Sequence, residues 1–194
     1  MVERWWRVVR WVAGAQSGRP GHPAYVPVGS QGAGRFDNPG HYTAGYLAAE
    51  PECAVAETFG NLKVWTRQML RPGEPPDATM ALAAYDGDLA LVDLDDAATL
   101  TRLGLRPSDV VRRHRARTQE VALQLFLAGG HDGIRWWSYH RPQWTVATVW
   151  KGRLEDGTAT SPLEDLRLAG IEELTLDHRA LVAAAEALPK IIEV

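Results

Sequence analysis

A single cysteine, Cys53, is found among the 194 residues, which excludes an intramolecular disulfide and a cysteine-rich zinc cluster. That scarcity suits a reducing compartment, so the expectation is a cytoplasmic protein. The six histidines show neither H-E-x-x-H nor any other metal-ligand spacing, and no metal is expected. No apolar run reaches the length of a membrane span. The opening Met1-Val2-Glu3-Arg4-Trp5-Trp6-Arg7 lacks the unbroken apolar core of a signal peptide, so no membrane association is expected. Net charge is also small, at −3, which argues against a surface built to neutralise a phosphate backbone and hence against direct nucleic-acid binding. Lysine is scarce. Only Lys63, Lys151 and Lys190 stand among 21 basic residues, a bias that, with abundant Ala, Gly and Leu, reflects a GC-rich genome.

What is present is an ordinary globular composition, 45% hydrophobic, in a chain the size of one domain. Eight tryptophans favour strands and suit the wall of a pocket for a flat ligand. Residues 4–12 alternate as a strand, with Trp5, Arg7, Val9 and Trp11 on one face and Trp6, Val8, Arg10 and Val12 on the other. From Ser17 to Gly40 the chain is rich in Gly and Pro and reads as a long irregular loop. A short strand at Gly45–Ala48 precedes a helix that starts at Pro51 and stops at Gly60-Asn61. Thr79–Tyr85 and Leu89–Leu94 flank Asp86-Gly87-Asp88 and read as a hairpin. A helix runs from near Ser108 to Gly129-Gly130, strands cover Gly133–Trp137 and Trp144–Trp150, and a last helix covers about 178–188. There is no repeat and no domain boundary. Strands and helices mix without βαβ alternation, so the class is α+β, one domain over residues 1–194 with mixed sheets flanked by helices.

Four places carry candidate chemistry. In Gly34-Arg35-Phe36-Asp37-Asn38-Pro39-Gly40 the glycines and Asn38-Pro39 constrain the backbone, and Arg35 is suited to a bidentate grip on phosphate or carboxylate; a surface turn is the plainer reading. Glu57 sits one helical turn after Cys53 and Ala54, whose small side chains leave room for a ligand, although a solvated glutamate fits the same pattern. Ser138 ends a strand among aromatics and cations, without a nucleophile elbow, so a hydrolase triad is not supported. Arg7 falls on an otherwise apolar strand face and needs an anionic partner, either a ligand or a structural carboxylate. The run Arg112-Arg113-His114-Arg115-Ala116-Arg117 reads as a solvated helix face, with partner binding as the functional alternative.

Together these residues resemble the RES-domain family, named for an Arg, a Glu and a Ser spread along the chain. The resemblance lies in Gly34-Arg35-Phe36-Asp37-Asn38-Pro39-Gly40, then Tyr46-Leu47-Ala48, then Pro51-Glu52-Cys53-Ala54-Val55-Ala56-Glu57. Thr118-Gln119, Gly133-Ile134, Ser138 and the opening Trp6-Arg7-Val8-Val9 continue it, so that it is strongest over residues 5–150. Phe36 and Asp37 stand where Trp and Asn are common in the family, and Ser17–Gly34 is less typical.

The resemblance implies a fold related to ADP-ribosyltransferase toxins and an enzyme that consumes NAD as substrate, with no bound cofactor. It also implies a toxin of a bacterial toxin–antitoxin pair, partnered by an Xre-type antitoxin. Nicotinamide in NAD is already a cationic leaving group, so the catalytic need is a carboxylate to stabilise charge developing on the ribose. That role falls to Glu57, the pyrophosphate to Arg35 and Arg7, the nicotinamide ring to Tyr46, and orientation of ribose or incoming inorganic phosphate to Ser138. Phosphate and water both remain open as acceptor. Transfer of ADP-ribose to a macromolecule and a non-catalytic interaction module are the competing readings, and self-association is left open.

Overall fold

Bulky and β-branched residues at the start of the chain build β1 (Glu3–Trp11) of a computed structural model that describes residues 2–111 and 115–193. The following elements are β2 (Tyr42–Ala48), α1 (Pro51–Phe59), β3 (Val64–Thr66), β4 (Thr79–Gly87), β5 (Leu91–Asp93), α2 (Ala97–Arg102) and α3 (Pro107–Val111). Then come α4 (Ala116–Ala128), β6 (Gly133–Trp137), β7 (Thr145–Gly152), β8 (Arg167–Glu173), α5 (Arg179–Ala187) and β9 (Ile191–Glu193). Seven strands form one sheet in the order β5-β6-β7-β2-β1-β4-β8, antiparallel except for the β5–β6 pair. β3 and β9 form a separate parallel pair. The fold is α+β, a mixed sheet flanked by helices, as the sequence indicates.

The alternation read in β1 holds in space. Trp6 and Val8 pack with the larger core, which holds the buried residues of α1, α4 and α5. Trp5 and Val9 pack on the opposite face with Leu47, Ala81, Ala83, Tyr85 and Ala147. Part of the irregular segment covers that second face: Ala24 and Val26 are buried in it, and the Tyr85 hydroxyl donates to the Pro23 carbonyl at 2.8 Å. At Gly21 the backbone turns with φ +92° and donates nothing of its own bulk: a Cβ there would lie 2.8 Å from the Val12 side chain.

One departure from regular pairing shapes the molecule. β1 is matched to β4 at nine positions, from Glu3 opposite Gly87 to Trp11 opposite Thr79, and β2 to β7 at seven. Between β1 and β2 the ladder has a single paired position, Trp6 opposite Ala48. The sheet therefore opens along its middle, and the chain enters α1 beside the opening. Pro51 sits in the first turn of α1, where a missing N–H costs nothing, and the Gly60 N–H closes the last turn on the Ala56 carbonyl at 2.7 Å. Glu50, at the N-cap, makes no cap bond; its Oε2 accepts from the Thr145 N–H at 3.2 Å and ties the helix start to β7.

Two sequence expectations need correction. Asp86-Gly87-Asp88 is no hairpin turn: β4 runs on through Gly87 between β1 and β8, whereas β5 pairs with β6 at the far edge. Asp86 is retained at the strand end by Arg4, whose Nε donates to Oδ1 at 2.8 Å, and by Arg167. The long helix expected from Ser108 is described as α3 and α4, with Arg112, Arg113 and His114 of the arginine run outside the described residues. Edge strand β8 and the short β3 and β9 were not foreseen. Among the described residues, no helix is long and apolar enough to cross a membrane.

Candidate active site

The Gly34–Gly40 loop is held by a buried carboxylate. Asp37 is 3% exposed, and its Oδ2 accepts the N–H groups of Gly32 and Gly34 at 2.8 and 2.6 Å. Its Oδ1 accepts the Tyr46 hydroxyl at 2.6 Å, and that hydroxyl in turn accepts the Phe36 N–H at 3.1 Å. A side chain at Gly34 would run into both the Tyr46 hydroxyl and the Asp37 carboxylate, which is why glycine is needed there. From α4, Thr118 Oγ1 donates to the Arg35 carbonyl at 2.6 Å and Gln119 Nε2 to the Gly34 carbonyl at 2.9 Å. Asn38 Nδ2 returns a bond to the Gln119 carbonyl at 2.9 Å. Phe36, wholly buried, meets Trp136 edge-on with centroids 4.6 Å apart. Arg35 is thus displayed from a backbone fixed on both sides. Partial burial and the nearby Arg115 lower its guanidinium pKa, against the attraction of Glu57 and Tyr46, and it stays cationic at neutral pH.

Glu57 and Ser138 meet although α1 and the end of β6 lie far apart in the chain. Ser138, 1% exposed, donates its hydroxyl to Glu57 Oε1 at 2.5 Å and accepts the His140 N–H at 3.1 Å. The serine hydroxyl is therefore oriented by the backbone and spends its proton on the carboxylate. Cys53, one turn earlier on α1, is fully buried; burial first and the Glu57 charge second push its thiol well above the ordinary range, so it is no thiolate nucleophile.

Of these groups Tyr46 and Glu57 line a cavity of about 340 Å³ in the opening between the strands, whereas Arg35 and Ser138 are not among its lining residues. β1 supplies Trp6, Arg7 and Val8, β2 supplies Tyr46, and α1 supplies Glu57 and Thr58, with Trp136 from β6. Arg7 carries a sealed Nη1 with no hydrogen-bond partner. Desolvation pulls its pKa down, offset in part by the field of Tyr85 and Tyr46. The structural-carboxylate reading of Arg7 gains no support for this nitrogen. Tyr46 lines the cavity, but its hydroxyl is committed to Asp37; burial, then the Asp37 charge, raises its pKa well above the phenol range. Arg7, Tyr46 and Glu57 thus share one cavity, Ser138 bonds to Glu57, and Arg35 lies within reach of the Glu57 field. Asp37, Trp136 and Thr58 were missed as contributors. For Asp37 a signal existed, an acid inside a Gly-rich loop, but it reads equally as a turn residue.

The fold and cavity define a small α+β protein with a cleft in its central sheet, armed by one carboxylate and lined by arginine and aromatics. A sequence model of the RES domain matches residues 4–183, and the chain belongs to that family. A chain of the M. tuberculosis MbcT–MbcA toxin–antitoxin complex has a similar fold, with a TM-score of 0.60 and 18% identity, over 98% of this chain and 91% of that one. No curated protein sequence matches it.

Proposed function

We propose that this protein cleaves the bond between nicotinamide and ribose in NAD and passes ADP-ribose to inorganic phosphate or water. The observation that carries the reading is the Ser138–Glu57 hydrogen bond beside a cavity lined by Glu57, Tyr46 and Arg7. A dinucleotide has parts suited to these groups. Its pyrophosphate is assigned to Arg7 and Arg35, in a geometry that a guanidinium fork matches. Its nicotinamide ring, cationic until it leaves, is attracted to the aromatic face of Tyr46.

The bond from ribose C1′ to the nicotinamide nitrogen breaks, and its electron pair goes to the ring, which departs neutral. Positive charge is left on the ribose. Glu57 stabilises that charge, one carboxylate oxygen fixed by Ser138 and the other accepting the ribose 2′-hydroxyl. An oxygen of phosphate or water then bonds to C1′, and any proton it carries passes to solvent. Ser138 orients Glu57 and is not a covalent nucleophile.

Family membership and the fold shared with a chain of a toxin–antitoxin complex support a second part of the proposal. The enzyme acts as the toxin of such a pair, inside the cell, and an Xre-type antitoxin restrains it by covering the cleft. Mass spectrometry of products from NAD, with and without phosphate, tests the chemistry. Phosphorylated ADP-ribose identifies a phosphorylase and ADP-ribose alone a glycohydrolase. Intact NAD under both conditions overturns the assignment.

A further inference from the structure

A second cavity adjoins the first. It measures about 870 Å³ and shares Arg7, Val8 and Thr58 with the 340 Å³ cleft. Its far wall comes from the irregular segment, with His22 and Tyr25, and from residues 73–76, while Met80 of β4 closes the inside. That wall is built, not draped. Pro23 takes the Tyr85 hydroxyl, Ala24 and Val26 are buried in the second core, and the Val12 N–H bonds the Gly21 carbonyl at 3.0 Å. His22 Nδ1 accepts the Ala24 N–H at 3.3 Å, so the neutral ring carries its proton on Nε2.

Size and charge give this arrangement a meaning. Ligand pockets span roughly 300–1,000 Å³ for drug-sized molecules, and the first cleft lies at the bottom of that range. It suits one nucleotide half of a dinucleotide, not both. Arg7 is one of the three residues that line both cavities, and a pyrophosphate joining two halves has to pass between them. We infer that the second cavity is the subsite for the purine nucleoside half of the substrate, with the base stacked on Tyr25 and contacted by His22 and its phosphate on Arg7. This rests on the proposed NAD reading and adds to it a place for the non-reacting half. Stacking is the suitable recognition mode, since every base offers a π-face and an aromatic side chain needs no matching hydrogen-bond code. Binding energy from that remote half then serves to position the reacting ribose.

Calorimetric titration with AMP and with nicotinamide mononucleotide separates the two cavities without relying on turnover. The intact protein is expected to bind both. Tyr25→Ala and His22→Ala each weaken AMP about tenfold or more and leave nicotinamide mononucleotide within about twofold, whereas Tyr25→Phe keeps AMP affinity. Absence of AMP binding to the intact protein, unchanged AMP affinity in both alanine variants, or equal losses for the two ligands overturns the subsite. NAD turnover of the intact protein is read beside it. A protein that consumes NAD but ignores AMP loses the subsite and keeps its reaction; one that binds AMP through Tyr25 but leaves NAD intact keeps a nucleotide site and loses the reaction.

Discussion

Ser138 donates a 2.5 Å hydrogen bond to Glu57 across 81 positions of sequence, and its own oxygen is pinned by the His140 N–H. A carboxylate so oriented needs no rearrangement when charge develops beside it. Glu57→Gln keeps the shape and removes the charge. It is expected to lower kcat for NAD cleavage about 10²–10³-fold while nucleotide binding changes little. Rates near those of the unaltered enzyme would remove Glu57 from the chemistry. Ser138→Ala leaves the half-buried His140 N–H without its acceptor, so it is expected to lose both rate and stability, the latter by about 1 kcal/mol.

Arg7 predicts opposite signs for stability and function. Its Nη1 is sealed and unpartnered, a cost the folded protein carries in the absence of ligand. Arg7→Met retains the volume and removes the charge, so the unliganded protein is expected to gain about 1 kcal/mol in urea denaturation. Its KM for NAD is expected to rise at least about tenfold, since the lost pyrophosphate contact is charge-assisted. A variant that is both less stable and equally active would contradict this.

Tyr46 separates ring from hydroxyl. Tyr46→Phe leaves the face on the cavity but strips Asp37 of a donor and Phe36 of an acceptor. The expected loss is about 1–3 kcal/mol of stability with most activity retained. Tyr46→Ala is expected to lose affinity for NAD as well, and steady-state kinetics on the two variants distinguish the roles.

Asp86 supplies a pH signature unrelated to catalysis. The hydrogen bond from Arg4 is the main cause that holds its carboxyl below the usual value of 3.8, with Arg4 and Arg167 charges adding to it against desolvation. A carboxyl depressed in the folded state stabilises it above the unfolded pKa, and that contribution disappears as pH falls through the folded value. Asp86→Asn is therefore expected to cost stability at pH 7, and to cost progressively less as pH drops below about 4. Denaturation midpoints of both proteins from pH 7 to pH 2.5 check the trend.

Helix α1 was legible to its boundaries because its signals are local: proline at the start, glycine at the stop, small residues on the buried side. β4 and β5 were misjoined for the converse reason. Asp86-Gly87-Asp88 looks like a tight turn, yet the partners of β4 are β1 and β8, and nothing within its own span announces them. β8 escaped notice since an edge strand with Arg167, Leu168 and Glu173 exposed carries no clean alternation. In the site, Arg7 stands out by strand alternation and Arg35, Glu57 and Ser138 by their local setting, but their roles, and Tyr46 altogether, come from the family resemblance. Asp37 was passed over because its hydrogen bonds, to Gly32, Gly34 and Tyr46, exist only once the loop has closed.

The lone Trp6–Ala48 match between β1 and β2 divides the sheet into two panels, β5-β6-β7-β2 and β1-β4-β8, with α1 leaning on both. A molecule lodged in that seam acts as a keystone, touching Arg7 on one panel and Tyr46 on the other. Occupancy will thus be felt well beyond the cleft, as slower amide exchange along the inner edges of β1 and β2 and a higher melting temperature.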